Sequence, residues 1–556
     1  MSPADRRQSF AARKADWFTM FRIRAGVVAT LFVLAFIGVQ VRILSLGFAA
    51  TMQEPEVAQL RQEDAPRRGS IFDRNGVLLA TSLEIMSLYA DPKEVMDVNE
   101  VVYKLSKVLP ELDAGDIQAQ LKRPGRFVWL KRRLTPEQVY RVNALGLPGL
   151  DFRKEYVRAY PQRELMAHIV GGVDPDQRGL AGVERTANNQ LASGQDVYLT
   201  VDVRLQQMLR QSLFDQMLAT HSKGASGVVL DPKTADILAA VSLPDFDANH
   251  YGKASADQWK NFFAQQLYEA GSTFKVFTFA QALEENLINL NSHFDTSKPL
   301  MIGGYKISDY KPHIGSLSAA EIMAVSSNIG TAKIADLFPE GSQRQFLNKL
   351  HMMSQLNTGF GAEAMPLYPQ AQQWKRLATM SISFGHTLAV SPMHVVAGFN
   401  ALLNDGYWRE PKIIRNMPRP EPLRVVSERT VGLMRELMLM TAEDGTGKLA
   451  RVPGYQIGGK TGTAEKNTVG GYDKKKNIAS FIGSAPLNDP RLVTLVLFDE
   501  PNQEFNTGGM IAAPAYQRFT AQALPLLGVF PQVTGDDVLA EKVQFRQASF
   551  VEPAAQ

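Results

Sequence analysis

The chain has 556 residues, 45% apolar and 21% charged, with a net charge of +4. That length can bury more than one core, and so mild a basic excess, without basic stripes interleaved with aromatics, does not point to nucleic acid. The sequence contains no cysteine, which excludes disulfides, thiolate metal sites, a cysteine nucleophile and a lipoprotein attachment point. Its eight histidines are scattered, so a catalytic metal is not expected; no cofactor is expected either. Arg6, Arg7, Arg13, Lys14, Arg22 and Arg24 precede an apolar run from Ala25 to Val41, and after Arg42 the run resumes through Phe48. At 1.5 Å per residue, roughly 18–24 residues cover about 27–36 Å, enough for a bilayer core. This predicts a basic tail over 1–24, held in the cytoplasm by its positive charge, and a single transmembrane anchor over 25–48. A cleaved signal peptide ending near Ala49-Ala50 is the rival, but its apolar region would be only about 7–15 residues.

A charged linker from Met52 to Arg68 opens a mixed α+β module spanning 49–198. Asn75-Gly76 between two apolar runs is a hairpin signal. Residues 92–109 and 113–122 have helical patterns, and Thr135-Pro136-Glu137 opens a helix over 135–145. Glu155 to Tyr160 reads as a strand stopped by Pro161, and Gly179–Glu184 introduces another helix. Composition shifts near Val197–Asp202, where a second module, 199–530, begins. It is predicted to hold a helix over 205–220, a hairpin from Gly227–Leu230 and Ile237–Val241 turning at Asp231–Ala235, helical patterns over 318–337, 343–350 and 391–403, strands at Ile478–Ser484 and Leu492–Phe498, and a helix from Ala512 to Leu527. Residues 531–556 read as a tail.

The chemistry concentrates in the second module. Ser272 and Lys275 stand three residues apart where an apolar helix opens after Gly271, so they share one helical face. That spacing can set an amine against a hydroxyl without a histidine. The pattern recurs at Ser308-Asp309-Tyr310-Lys311, but Pro312 follows and no apolar helical face surrounds it, so this copy reads as an exposed loop. Ser326-Ser327-Asn328 is a polar triplet in apolar surroundings that must satisfy its own hydrogen bonds or offer them to a ligand. Lys460-Thr461-Gly462-Thr463 follows a short β-prone run. Gly454 to Thr461 also matches the phosphate-loop pattern letter for letter. A phosphate loop needs a buried strand before it and a helix starting at its Lys-Thr. Here Arg451-Val452-Pro453 precedes and a polar, glycine-interrupted stretch follows, so the match is read as coincidence.

Ser-x-x-Lys, Ser-x-Asn and Lys-Thr-Gly in this order resemble the signature of the penicillin-interacting serine acyltransferases. The resemblance extends through most of the chain. Arg68–Gly76, Arg158-Ala159-Tyr160-Pro161 and Gly179–Glu184 look like the pedestal blocks of the class B penicillin-binding proteins. Leu243–Asn249 resembles the segment before the nucleophile, and Phe384–Pro392 a block before the Lys-Thr-Gly strand. The resemblance implies an α+β multidomain fold: a membrane anchor, a pedestal or dimerisation-type module, and a transpeptidase domain whose antiparallel sheet is flanked by helices, as in β-lactamases.

It implies a peptidoglycan D,D-transpeptidase, and the chain looks most like the division-specific branch, with single anchor, moderate length and no appended C-terminal domain. Ser272 would be the nucleophile and Lys275 the general base. Ser326 would relay a proton, Asn328 would orient the substrate, and Lys460 would keep the site electropositive. Thr461, Gly462 and Thr463 would hold the terminal carboxylate, and the backbone N–H groups of Ser272 and Thr463 would form an oxyanion hole. Implied partners are stem peptides with a D-Ala-D-Ala donor and an amine acceptor, β-lactams, a lipid II polymerase of the SEDS family, and other division proteins of the bacterial inner membrane, with the catalytic module periplasmic. An elongation-specific enzyme, a β-lactamase or β-lactam sensor, and a non-catalytic division scaffold are the alternatives.

Overall fold

The computed structural model describes residues 67–468, 471–502 and 507–532, together with Gly26, residues 30–40 and Arg42. These fall into two compact units, residues 1–66 and 67–556. In the first, residues 30–40 are helical, and Leu31, Phe32, Val33, Leu34, Phe36, Ile37 and Val39 are all exposed. The rest of the expected anchor, the basic tail 1–24, and all but the first two residues of the 531–556 tail lie outside the described residues. Among the described residues no helix is long and apolar enough to cross a membrane.

The second unit begins with a hairpin. Strand β1 (Ile71–Phe72) pairs antiparallel with β2 (Leu78–Ala90), and Gly76 in the turn takes φ of 86°, the left-handed value that the Asn-Gly signal anticipates. Helices α1 (Val98–Val108) and α2 (Ala114–Leu121) follow, each started by an aspartate, Asp97 and Asp113, whose carboxylate accepts first-turn N–H groups. Next come β3 (Val128–Leu134) and α3 (Pro136–Asn143), the latter with a Thr135–Gln138 capping box and Pro at its first position. Strand β4 (Leu150–Ala159) starts five residues before the predicted Glu155. It pairs with β2 over that strand's length, from Thr81↔Ala159 to Ala90↔Leu150. Polar and charged residues along its first half concealed its extent. Leu88, Val101, Leu105, Ile117, Leu130 and Val142 form the small core beneath.

The three sequence blocks of this module converge on one buried carboxylate. Glu184 is fully buried. It accepts from Arg68 Nε at 2.8 Å and Arg158 Nε at 2.6 Å, while Arg68 Nη2 also donates to the Glu184 carbonyl at 2.9 Å and Arg158 Nη1 to the Gly69 carbonyl at 2.7 Å. Strand β5 (Val197–Tyr198) then joins β1 in parallel.

Helix α4 (Val203–Ala219) opens the second module, and its first N–H reaches back to Asp73 of the hairpin turn at 3.2 Å. Strands β6 (Gly224–Leu230) and β7 (Ile237–Leu243) form the predicted hairpin. The Asn249 side chain both accepts from Tyr160 N at 2.9 Å and donates to its carbonyl at 3.0 Å, so the block before the nucleophile is bonded to a block of the first module.

A 3₁₀ turn, Gly271–Phe274, runs into α5 (Lys275–Glu284). The stretch predicted as helical over 318–337 is broken into α6 (Ala319–Val325) and α7 (Asn328–Ala335), because Ser326 adopts the left-handed conformation, φ 63° and ψ 44°. Helix α8 (Pro392–Leu403) is buried throughout. Helix α9 (Glu428–Glu443) was not anticipated; its buried positions Val431, Met434, Leu437 and Met438 nonetheless carry helical spacing.

Strands β8 (Gly458–Thr468), β9 (Gly471–Ala485) and β10 (Leu492–Asp499) complete an antiparallel sheet in the order β8-β9-β10-β6-β7. Helix α10 (Gly508–Leu526) closes the fold. The sheet is apolar on both faces. Along β10, Val493, Leu495 and Leu497 join the core that holds Phe277 of α5 and Phe399 of α8, while Leu492, Val496 and Phe498 join the core of Leu209 in α4 and Phe519 in α10. The two-residue period of a strand divides its side chains between the layers, and β8 is left as the edge.

Glu184→Ala would strand two buried guanidinium groups, a change that typically costs about 3–5 kcal/mol. Denaturant unfolding of the full chain is expected to show that loss, with a smaller one for Glu184→Gln.

Candidate active site

Three separate pieces of chain meet at the edge strand. The first is the 3₁₀ turn with Ser272, half-buried, one turn before the fully buried Lys275. The second is the break between α6 and α7. The third is β8, carrying Lys460, also fully buried. Lys275 Nζ donates to the Ser326 carbonyl at 2.5 Å and to Ser326 Oγ at 3.0 Å. Lys460 Nζ donates to the same Oγ at 2.9 Å. One hydroxyl therefore accepts from two lysine amines, and the left-handed backbone of Ser326 presents its carbonyl and its hydroxyl together to Lys275.

Neither lysine has a carboxylate within salt-bridge distance among the described residues. Burial, then the neighbouring Lys460, pushes Lys275 well below the ordinary lysine value of 10.5, against a smaller opposing pull from Asp309. Burial brings Lys460 down to about 7. Two cations on one hydroxyl in a low-dielectric site do not both stay charged near neutral pH, so one of the pair is available as a base.

Strand β8 lies close against the Ser272 turn, and two glycines permit it. A Cβ on Gly462 would stand 2.4 Å from Ser480 Oγ and 2.8 Å from Thr273 Cγ2. Gly271, at φ +55°, faces the Thr463 carbonyl, which a Cβ there would meet at 2.8 Å. In a strand the N–H and C=O of one residue point to the same side. The N–H of Thr463 therefore opens toward the Ser272 turn, not toward β9. Thr461 Oγ1 lies 2.7 Å from Thr446 Oγ1, and Thr463 Oγ1 accepts from Gly508 N at the start of α10 at 3.0 Å.

The structure thus brings together Ser272, Lys275, Ser326, Lys460, Thr461, Gly462 and Thr463. Asn328 stands two residues past Ser326, where its Nδ2 donates to the Ser308 carbonyl at 3.1 Å. The phosphate-loop reading fails on backbone grounds: β8 runs unbroken through Lys460-Thr461, where that motif requires a helix to begin.

The Phe384–Pro392 block buttresses the Ser272 turn. Gly271 N donates to the Gly385 carbonyl at 3.2 Å, and Glu269 accepts from Thr387 N at 2.9 Å. Sequence reasoning missed Glu269, Thr446 and Asp309. Asp309 carried a signal, since it sits inside the second Ser-x-x-Lys copy; the other two carried none beyond neighbouring glycines.

Ser272 one helical turn before a buried lysine, which shares the Ser326 hydroxyl with a second buried lysine, and with no histidine among these bonds, marks the serine–lysine class of acyl-transfer proteins. More specifically, the chain belongs to the class B penicillin-binding proteins. Residues 225–521 match the penicillin binding protein transpeptidase domain, and residues 63–204 the penicillin-binding protein dimerisation domain. The chain is 36% identical to the probable peptidoglycan D,D-transpeptidase FtsI of Caulobacter vibrioides, over 91% of this chain and 89% of that one. It is 28% identical to the peptidoglycan D,D-transpeptidase FtsI of Escherichia coli K12, over 87% and 88%. The crystal structure of penicillin binding protein 3 from Mycobacterium tuberculosis in complex with aztreonam shares the fold, with a TM-score of 0.68 at 24% identity, covering 84% of this chain and 98% of that one.

Gly462→Ala is expected to force β8 off the Ser272 turn. A displacement of that order slows reactions by roughly 100-fold, and the rate of covalent labelling by a fluorescent penicillin measures it.

Proposed function

We propose that this protein is a serine-type peptidoglycan D,D-transpeptidase acting in septal wall synthesis. The observation that carries this reading is the pair of buried lysines sharing Ser326 Oγ one helical turn from Ser272. Ser272 Oγ attacks the carbonyl of the penultimate D-Ala of a stem peptide ending D-Ala-D-Ala. Neutral Lys275 takes the hydroxyl proton, and an ester forms on Ser272 as D-Ala departs. Ser326, hydrogen-bonded to both lysines, hands a proton to the leaving amine. Lys460 retains a positive charge when Lys275 is neutral, so the site stays electropositive. Thr461 and Thr463 bind the donor's terminal carboxylate beside it, with Gly462 giving the close approach. Asn328 orients the peptide backbone. The backbone N–H groups of Ser272 and Thr463 stabilise the oxyanion, where one donor is typically worth about 3–4 kcal/mol. An amine of a second stem peptide then attacks the ester and forms the cross-link. A β-lactam mimics the donor and leaves a slowly released adduct on Ser272.

The division assignment is supported by the FtsI relatives of two organisms. We read residues 25–48 as a single-pass inner-membrane anchor with residues 1–24 cytoplasmic; the helix at 30–40, apolar and exposed on all sides, suits lipid better than water. Residues 49–198 then form a periplasmic pedestal and 199–530 the transpeptidase domain, with 531–556 as a tail. A SEDS-family lipid II polymerase of the FtsW type and other divisome membrane proteins are the expected partners.

Ser272→Ala should leave the chain folded and abolish labelling by a fluorescent penicillin; undiminished labelling would rule out the nucleophile assignment. Acylation should fall as pH drops and the depressed Lys275 takes up a proton. Lys460→Met removes the like charge that holds Lys275 down. The Lys275 pKa then rises, so the acid limb of the labelling rate should move to higher pH, with a lower plateau.

A further inference from the structure

The second Ser-x-x-Lys copy does not form a nucleophile pair. Ser308 and Lys311 are exposed and the segment is not helical. Asp309 between them, however, is turned onto the site. Its Oδ1 accepts from the backbone N–H of Asn328 at 2.5 Å and of Ile329 at 3.0 Å, and its Oδ2 accepts from Ser327 Oγ at 2.7 Å. The preceding Ser308 carbonyl accepts from Asn328 Nδ2 at 3.1 Å. Ser327 Oγ in turn accepts from Gly330 N at 3.0 Å.

Every one of these bonds ends on Ser327 or the first turn of α7, just past the break. The first N–H groups of a helix have no partner within it, and a carboxylate there is favoured by the helix dipole as well. Asp309 therefore ties down the three residues that follow the strained Ser326 backbone, whose hydroxyl both lysines share. It also carries charge toward the site: the charged groups acting on Lys275 are Lys460, from β8, and Asp309, and only Asp309 is negative.

We propose that Asp309 is a positioning residue for acylation: its carboxylate, through Ser327, Asn328 and Ile329, holds the Ser326 turn in register against Lys275 and Lys460, and it supplies negative charge toward Lys275. The inference deepens the Ser272 acylation reading and rests on it.

The test is fluorescent-penicillin acylation of the full chain, with the binding constant and the acylation rate constant separated and followed against pH, for Asp309→Ala, Asp309→Asn and Ser272→Ala beside wild type. Asp309→Ala releases the turn, and its acylation rate constant should fall by on the order of 100-fold, with little change in initial binding. Asp309→Asn keeps an oxygen to accept the Asn328 and Ile329 N–H groups, so it should recover most of the plateau rate. It loses the negative charge that favours protonated Lys275, so its acid limb should move to lower pH. A residue serving stability alone would lower the melting temperature and leave that limb in place.

A wild-type acylation rate in Asp309→Ala, or an unmoved acid limb in Asp309→Asn, overturns the inference. Should Asp309→Ala fail to fold, the limb of Asp309→Asn decides by itself. The control separates the two levels: a Ser272→Ala protein that still labels removes the acylation reading, whereas an unlabelled Ser272→Ala beside an unaltered Asp309→Ala removes only the role of Asp309.

Discussion

Two lysine amines directed at one hydroxyl, with no carboxylate among the described residues in salt-bridge distance of either, is the constraint on which this site depends. In water the arrangement would dissolve, since two unit charges at 4 Å cost only about 1 kcal/mol there and the side chains would swing apart; at an effective dielectric of 20 the figure is about 4 kcal/mol. Burial of Lys275 and Lys460 removes that escape and turns repulsion into proton loss. A lysine otherwise charged at neutral pH can then give up its proton without a histidine beside it. The geometry must be rigid, because a lysine with room to move would find solvent and recover its proton.

That rigidity comes from three unrelated parts of the chain. The αL backbone of Ser326 stops α6 short and turns its carbonyl and hydroxyl on Lys275. The edge position of β8 leaves the Thr463 peptide free of a neighbouring strand on the side where the Ser272 turn sits, and Gly462 lets that turn come within contact distance. Behind these, apolar side chains on both faces of the sheet fix β8 through β9 and β10. The first module is joined to this frame by Asn249 on Tyr160 and by Asp73 on the first N–H of α4. Its own order centres on Glu184, the one carboxylate on which Arg68 and Arg158 both close.

Much of this was written in local chemistry. Asn75-Gly76 specified a hairpin because the turn needs a positive φ, and Thr135-Pro136 specified a helix start because the cap and the fixed proline φ act within one turn. The three motifs were legible one by one, since each needs only its own spacing to be seen. The helix over 318–337 was read as continuous because periodicity does not register a single left-handed residue. Strand β4 was read short because Asp151, Arg153 and Lys154 interrupt any apolar run along its first half. Helix α9 was passed over although its apolar spacing is regular.

The order of the motifs and the residue types within them were determined by the sequence alone: which serine, which lysines, which turn. What only the tertiary structure decided is which atoms they share. No linear pattern says that Lys275 and Lys460 meet on the same Ser326 hydroxyl, that Arg68, Arg158 and Glu184 form one buried cluster, or that Asp309, embedded in an apparently idle copy of the nucleophile motif, caps the turn beside it. Local propensity acts over a few residues, whereas charge burial and hydrogen-bond satisfaction act over a few ångströms, and only folding converts the one distance into the other.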